Sequence, residues 1–209
     1  MIWRRGVSGL TVAMVLSVLP SALCAQAGDP PAGAGLEAEW VRQGNYFSCR
    51  TKPRPKPSPD EMKLSREEIV RQIERACLRL GPFAVGDEAK LIERILGKPA
   101  RTLARPNDAT ALVFFLGQPG ELPYLVVTVK QDRIVALQVS GSAGAERFSF
   151  NQIGLGTTSE ALVERFGRPL QSGPSGLKDT EFWSYNPWTF SFEVSGGRVT
   201  SIRIVADKF

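Results

Sequence analysis

Apolar residues recur along this chain at two spacings, and the change from one to the other divides it into short helices followed by runs of strand. Ile69, Val70, Ile73, Ala76, Cys77 and Leu80 stand three and four residues apart, the stripe of an amphipathic helix. Ser65-Arg66-Glu67-Glu68 opens that helix as a capping box, and Gly81-Pro82 ends it. A shorter helix is predicted between Gly86 and Gly97, with Asp87 as its N-cap candidate and Pro99 barring continuation. Period-two runs then predict strands near 110–117, 123–130 and 133–140, with turns at Gly117 to Gly120 and at Gln131-Asp132. The order then returns. A helix is predicted between Gly156 and Gly167, capped by Thr157 or Thr158, and strands near 180–186, 188–194 and 198–205, the last hairpin closed by Gly196-Gly197.

The return is a duplication. Val85-Gly86-Asp87 through Gly97-Lys98-Pro99 matches Leu155-Gly156-Thr157 through Gly167-Arg168-Pro169 without a gap, and Ile92 and Leu96 answer to Leu162 and Phe166. Thr110 to Phe115 lines up with Thr180 to Tyr185, Leu125 to Val129 with Phe190 to Val194, and Arg133-Ile134 with Arg198-Val199. Each unit is about 65 to 70 residues long. The expected fold class is α+β: two tandem helix-helix units, each with an antiparallel three-stranded sheet whose helices pack on one face. Copy two lacks the long first helix and places a strand there instead. One continuous sheet and two adjacent sheets are both compatible with the pattern.

Residues 1–27 read as a secretory signal: Arg4 and Arg5 form a basic start, Val7 to Leu19 an apolar run, and Ala25-Gln26-Ala27 a small-x-small cleavage site. Leu23 stands where a lipoprotein signal has a small residue before its cysteine, so an outer-membrane lipid anchor at Cys24 is not expected. Residues 28–64 follow as a flexible leader and an arm, Arg50 to Pro59, that alternates proline with basic residues. Such a segment is extended; it reads as a solvated spacer, with docking to an acidic partner as the other reading. Copy one occupies 65–142 and copy two 143–209. In an oxidising compartment Cys49 and Cys77 pair as a disulfide, worth about 3 to 4 kcal/mol for a loop of nearly thirty residues.

Charge and composition narrow the chemistry. The formal charge of +5 drops to +3 when Arg4 and Arg5 leave with the signal, too small a surplus to argue for nucleic acid. Histidine is absent, so metal binding and general acid-base catalysis lose their commonest residue. There is no Gly-x-Ser-x-Gly elbow, and Gly154-x-Gly156 lacks the third glycine and the lysine of a phosphate loop. Asp87, Glu88, Glu93, Glu160 and Glu164 are spaced as exposed helix charges. No catalytic residue, metal or cofactor is expected, and no enzymatic activity.

The Gly156-Thr157-Thr158 start, the Phe166-Gly167-Arg168-Pro169 end, the Trp183-x-Tyr185 strand and the closing Gly197-Arg198-Val199 hairpin resemble the SmpA/OmlA (BamE-like) domain family. Their duplication in one secreted chain resembles the tandem architecture of β-lactamase inhibitory proteins. The similarity spans about 120 residues, Phe83 to Val205. It implies non-enzymatic units whose sheets bind other proteins.

Aromatic residues carry the candidate site. Trp183, Tyr185, Trp188 and Phe115 are the candidate protein-binding residues, with Tyr185 and Trp188 expected at a wet boundary because of their polar tips. Phe190, Phe192 and Val194 are expected to pack under the helix. Phe182 and Ser184 point to one side of their strand, Trp183 and Tyr185 to the other. Phe115 aligned with Tyr185 suggests that the two copies bind different things. The expected partner is another envelope or secreted protein, met as a scaffold or assembly factor, or alternatively a hydrolase that is inhibited. No transmembrane segment is expected in the mature chain, and the oligomeric state is left open.

Overall fold

The computed structural model describes residues 38–44, 46–52 and 63–206. The secretory signal, the leader up to 37 and the proline-basic stretch 53–59 lie outside the described residues. A hairpin of β1 (Ala38–Gln43) and β2 (Tyr46–Thr51) comes first. The helix α1 (Arg66–Cys77) begins with its capping box formed: the Ser65 amide donates to Glu68 Oε2 at 2.8 Å, and the Glu68 amide to Ser65 Oγ at 3.2 Å. Hydrogen bonding of the Glu68 carboxyl by the Ser65 amide, and then by the Ser65 hydroxyl, holds it below its ordinary pKa. The paired strands β3 (Arg79–Leu80) and β4 (Phe83–Ala84) then turn the chain into α2 (Lys90–Leu96).

Copy one continues as β5 (Arg101–Arg105), β6 (Ala109–Phe115), β7 (Tyr124–Lys130) and β8 (Arg133–Ser140). Copy two consists of α3 (Ser159–Phe166), β9 (Gln171–Pro174), β10 (Thr180–Ser184), β11 (Phe190–Ser195) and β12 (Arg198–Val205). The expected pair of helix-helix units with three-stranded sheets does not form. All eight strands join one antiparallel sheet in the order β5-β6-β7-β8-β12-β11-β10-β9, and the fold is mostly β. Each copy supplies a fourth strand, β5 or β9, at an outer edge. β5 is exposed at all five positions, and β9 ends in Gly173 and Pro174. Edge strands tolerate both features, so neither carries a buried alternation to read. Copy two has no first helix and no full strand in its place. A loop closed by paired backbone bonds between Phe150 and Ile153, at 2.8 and 3.0 Å, drives Phe148, Phe150 and Ile153 into the core.

Equivalent backbone hydrogen bonds recur in the two halves. The Gly86 amide donates to the Ile134 carbonyl and the Gly156 amide to that of Val199, both at 2.8 Å. Both copies bulge at matching points, Thr128/Val129 and Glu193/Val194. The seam pairs Ala136 with Val205, Gln138 with Arg203 and Ser140 with Ser201. Arg203 is itself the counterpart of Gln138, so a local twofold axis runs between these two residues.

The helix starts differ between copies. Thr158 Oγ1 accepts from the Ala161 amide at 3.3 Å and caps α3. Asp87, expected to cap α2, instead accepts from the Ala84 amide at 2.8 Å and from Arg75, and α2 starts at Ala89 without a side-chain cap. The counterpart of Asp87 is Thr157, whose Oγ1 accepts from the Gly154 amide at 3.1 Å. Both side chains therefore close the turn before the helix rather than the helix itself.

One face of the sheet holds the core. Phe114, Leu125, Val127, Leu137, Val139, Phe190, Phe192, Ile202 and Ile204 pack there with the buried residues of α2, α3 and the β3–β4 turn. The β1–β2 hairpin contacts both copies. The Cys49–Cys77 disulfide ties β2 to α1, with Cα atoms 5.9 Å apart. Phe47 meanwhile meets Phe166, Tyr185, Trp188 and Phe190 of copy two at ring separations of 4.8 to 5.9 Å. Arg165 of α3 and Glu39 of β1 pair at 2.8 Å. The β1–β2 hairpin is thus an arm that straps α1 to the core of copy two.

Candidate functional site

The eight strands have a second face, and none of its side chains belongs to the core cluster. Strand register fixes its rows. One runs Phe115, Tyr124, Ser140, Ser201, Glu193, Phe182, Gly173, and the next runs Arg101, Val113, Val126, Gln138, Arg203, Ser191, Ser184, Gln171. Seven spacings of about 4.8 Å make this face about 34 Å wide, enough for an interface of ordinary size. Its centre is small and polar. Gln138 donates to Ser201 Oγ at 3.1 Å and to Ser140 Oγ at 3.3 Å, and the two hydroxyls lie 3.0 Å apart. Ala109 and Ala111 are buried between larger neighbours.

Apolar groups stand out on both sides of that centre. Phe182 is 39% exposed and faces Gly173 across the β9–β10 pair, while Leu103 is 45% exposed and faces Ala111. A large side chain over a glycine or alanine gains contact on one side and leaves the rest in water. Burying the part of either that is still exposed is worth about 1 kcal/mol. Arg101 lies over the Phe115 ring at 5.9 Å, and Arg105 and Arg203 are exposed. Glu193 accepts from the Ser175 hydroxyl at 2.8 Å.

The four predicted aromatics are not brought together. Phe115 alone lies on the open face. Trp183 is on the opposite face at the sheet's edge, half-buried, its indole donating to Glu181 Oε2 at 2.8 Å. Trp188 is half-buried under the arm and donates to the Phe47 carbonyl at 3.2 Å. Tyr185, expected at a wet boundary, is fully buried and its hydroxyl donates to the Gly167 carbonyl at 2.9 Å; burial pushes its ionisation up. The polar tip found a backbone partner instead of water.

The alignment of Phe115 with Tyr185 is also one residue off. Phe114 pairs with Leu125, and the β10–β11 register carried one residue beyond Ser184 sets Tyr185 against Phe190, the counterpart of Leu125. Phe114 and Tyr185 are therefore equivalent, and both are core. Three residues separate Arg105 from Ala109, but four separate their counterparts Ser175 and Thr180, and that extra residue absorbs the slip. In a strand a slip of one exchanges the two faces. Phe182, Leu103, Arg105 and Arg203 were not singled out from sequence. Parity did place Phe182 opposite Trp183, but nothing in the sequence marks which face is left uncovered.

Among the described residues no group of three His, Cys, Asp or Glu is placed to hold a metal ion, and no helix is long and apolar enough to cross a membrane. No protein-family profile and no curated protein matches the chain. Among solved structures it is similar to a cysteine-rich secretory protein of Staphylococcus aureus, at 17% identity over 59% of this chain and 44% of that one, with a TM-score of 0.41. The chain thus spans under half of that protein's length. It is similar to a DUF4309-family protein of Bacillus subtilis at 18% identity, over 62% and 82% of the two chains, with a TM-score of 0.39. A candidate β-lactamase inhibitor protein of Streptococcus mutans matches at 15% identity over 65% and 95%, with a TM-score of 0.26. Likenesses this remote carry no argument about function.

Proposed function

We propose that this chain is a non-enzymatic, periplasmic or secreted protein-binding module, an envelope assembly or scaffold factor, and that it binds its partner with the open face of the eight-stranded sheet. One observation carries the reading: helices and arm crowd a single face, leaving the other with Phe182 and Leu103 protruding beside a polar centre. Exposed apolar groups set among polar ones are the make-up of a docking surface. The secretory-signal pattern of residues 1–27 and the disulfide support an extracytoplasmic setting. The SmpA/OmlA-like flanks of the repeated helix are part of the same proposal.

Affinity capture from the source cell envelope tests it, with the full chain beside a Phe182→Asp/Leu103→Asp variant that melts at the same temperature. A protein retained by the first and lost by the second is the expected result. Equal retention by both, or retention by neither, rejects the open face as the docking surface. Stoichiometric loss of activity when the chain is added to a captured hydrolase would make it an inhibitor rather than a scaffold.

A further inference from the structure

We propose that the copy-one half of the open face is a receptor for carboxylates, filled by an acidic segment of the partner protein. This deepens the protein-binding reading above and rests on it. A cup of about 420 Å³ opens on that half, with Arg105 of β5 and Arg203 of β12 at opposite walls and Thr128 and Gln138 on the strands between. Neither guanidinium has an ion-pair partner among the described residues. The Gln138 amide nitrogen is taken up by the two serines. The cup's free donors are the two arginines, the Thr128 hydroxyl and the Asn107 side chain.

Copy two shows what the position accepts. The counterpart of Thr128 is Glu193, set at the matching bulge, and the counterpart of Arg105 is Ser175. There Ser175 donates to the Glu193 carboxylate at 2.8 Å. Copy two therefore carries its own carboxylate beside a donor from the outer edge. Copy one keeps the donors, makes them cationic and supplies no acid. The group absent from one half is the group built into the other.

The occupant is a segment rather than one carboxylate. β5 and β12 lie four strand spacings apart, about 19 Å, so the two arginines lean in from different walls. A single carboxylate can satisfy one bidentate partner; two acidic side chains a few residues apart satisfy both.

The probe is a hexaglutamate peptide, titrated into the isotopically labelled full chain at low salt and followed by amide shifts. Saturable shifts at Arg105, Asn107, Thr128, Gln138 and Arg203 are expected, about tenfold weaker in half-molar salt. They should vanish in Arg105→Gln/Arg203→Gln, and also in Thr128→Glu, which fills the cup from within as Glu193 does. The substituted residues are not core, and an otherwise unchanged amide spectrum verifies the fold of each variant. Shifts that do not saturate, that persist in these variants, or that spread equally over Arg71 and Arg147 overturn the proposal. If hexaglutamate fails while Phe182→Asp/Leu103→Asp still abolishes capture, the receptor is wrong and the docking face stands. Binding of hexaglutamate without any captured partner rejects the docking reading instead.

Discussion

The Tyr185 hydroxyl donates to the Gly167 carbonyl inside the aromatic cluster of copy two, tying the chain beyond β10 to the residue that ends α3. Gly167 has φ 76°, and the Arg42 guanidinium lies over it so closely that an added Cβ would stand 1.7 Å from Nη1. Arm, helix end and sheet meet at this point.

Tyr185→Phe keeps the ring and removes the donor, leaving a buried carbonyl unpartnered. The expected cost is about 1 to 3 kcal/mol, read as a lower urea midpoint with an unchanged slope. A midpoint equal to wild type would return Tyr185 to the solvent boundary.

Cys49→Ser should destabilise the protein by about 3 to 4 kcal/mol on a chain-entropy argument for a separation of 28 residues. Because Phe47 packs against the copy-two core while Cys77 belongs to α1, release of the disulfide loosens α1 from the hairpin, while the β8–β12 seam still joins the two copies. Non-reducing calorimetry should show a lower, broader transition, and identical melting of mutant and wild type would refute this.

Asp87 and Thr157 close equivalent turns with different strength. Asp87 is buried, charged and bonded to both the Ala84 amide and Arg75, whereas Thr157 offers one neutral bond. Asp87→Ala should therefore cost about 1 to 3 kcal/mol and Thr157→Ala about 1 kcal/mol, measured by chemical unfolding. Equal losses would show that the charge adds nothing.

Local chemistry was legible from sequence and long-range choice was not. Ser65 with Glu68, Thr158 before α3, six of the eight strands of the large sheet and the Cys49–Cys77 pair follow from spacing and residue type within a few positions. β5 and β9 escaped because edge strands carry no buried alternation: Arg101 to Arg105 is exposed throughout. The candidate site was mostly missed for another reason. Trp183, Tyr185 and Trp188 are the heaviest aromatics of copy two, but the arm and α3 were free to cover either face. Only the packed fold shows that they covered the face holding Phe190 and Phe192, leaving Phe182 in the open. The single-residue difference between two turns, invisible in an ungapped alignment, then exchanged Phe115 for Phe114 as the partner of Tyr185.

The seam between β8 and β12 has one more consequence. Each strand meets there a strand that is its own counterpart, in a register that is the same from either side. An isologous contact of this kind is what two identical chains would make across a twofold axis. Exchange of second halves between two molecules, through the stretch 141–157, would rebuild the same eight-stranded sheet twice over, so the intramolecular seam is geometrically interchangeable with an intermolecular one.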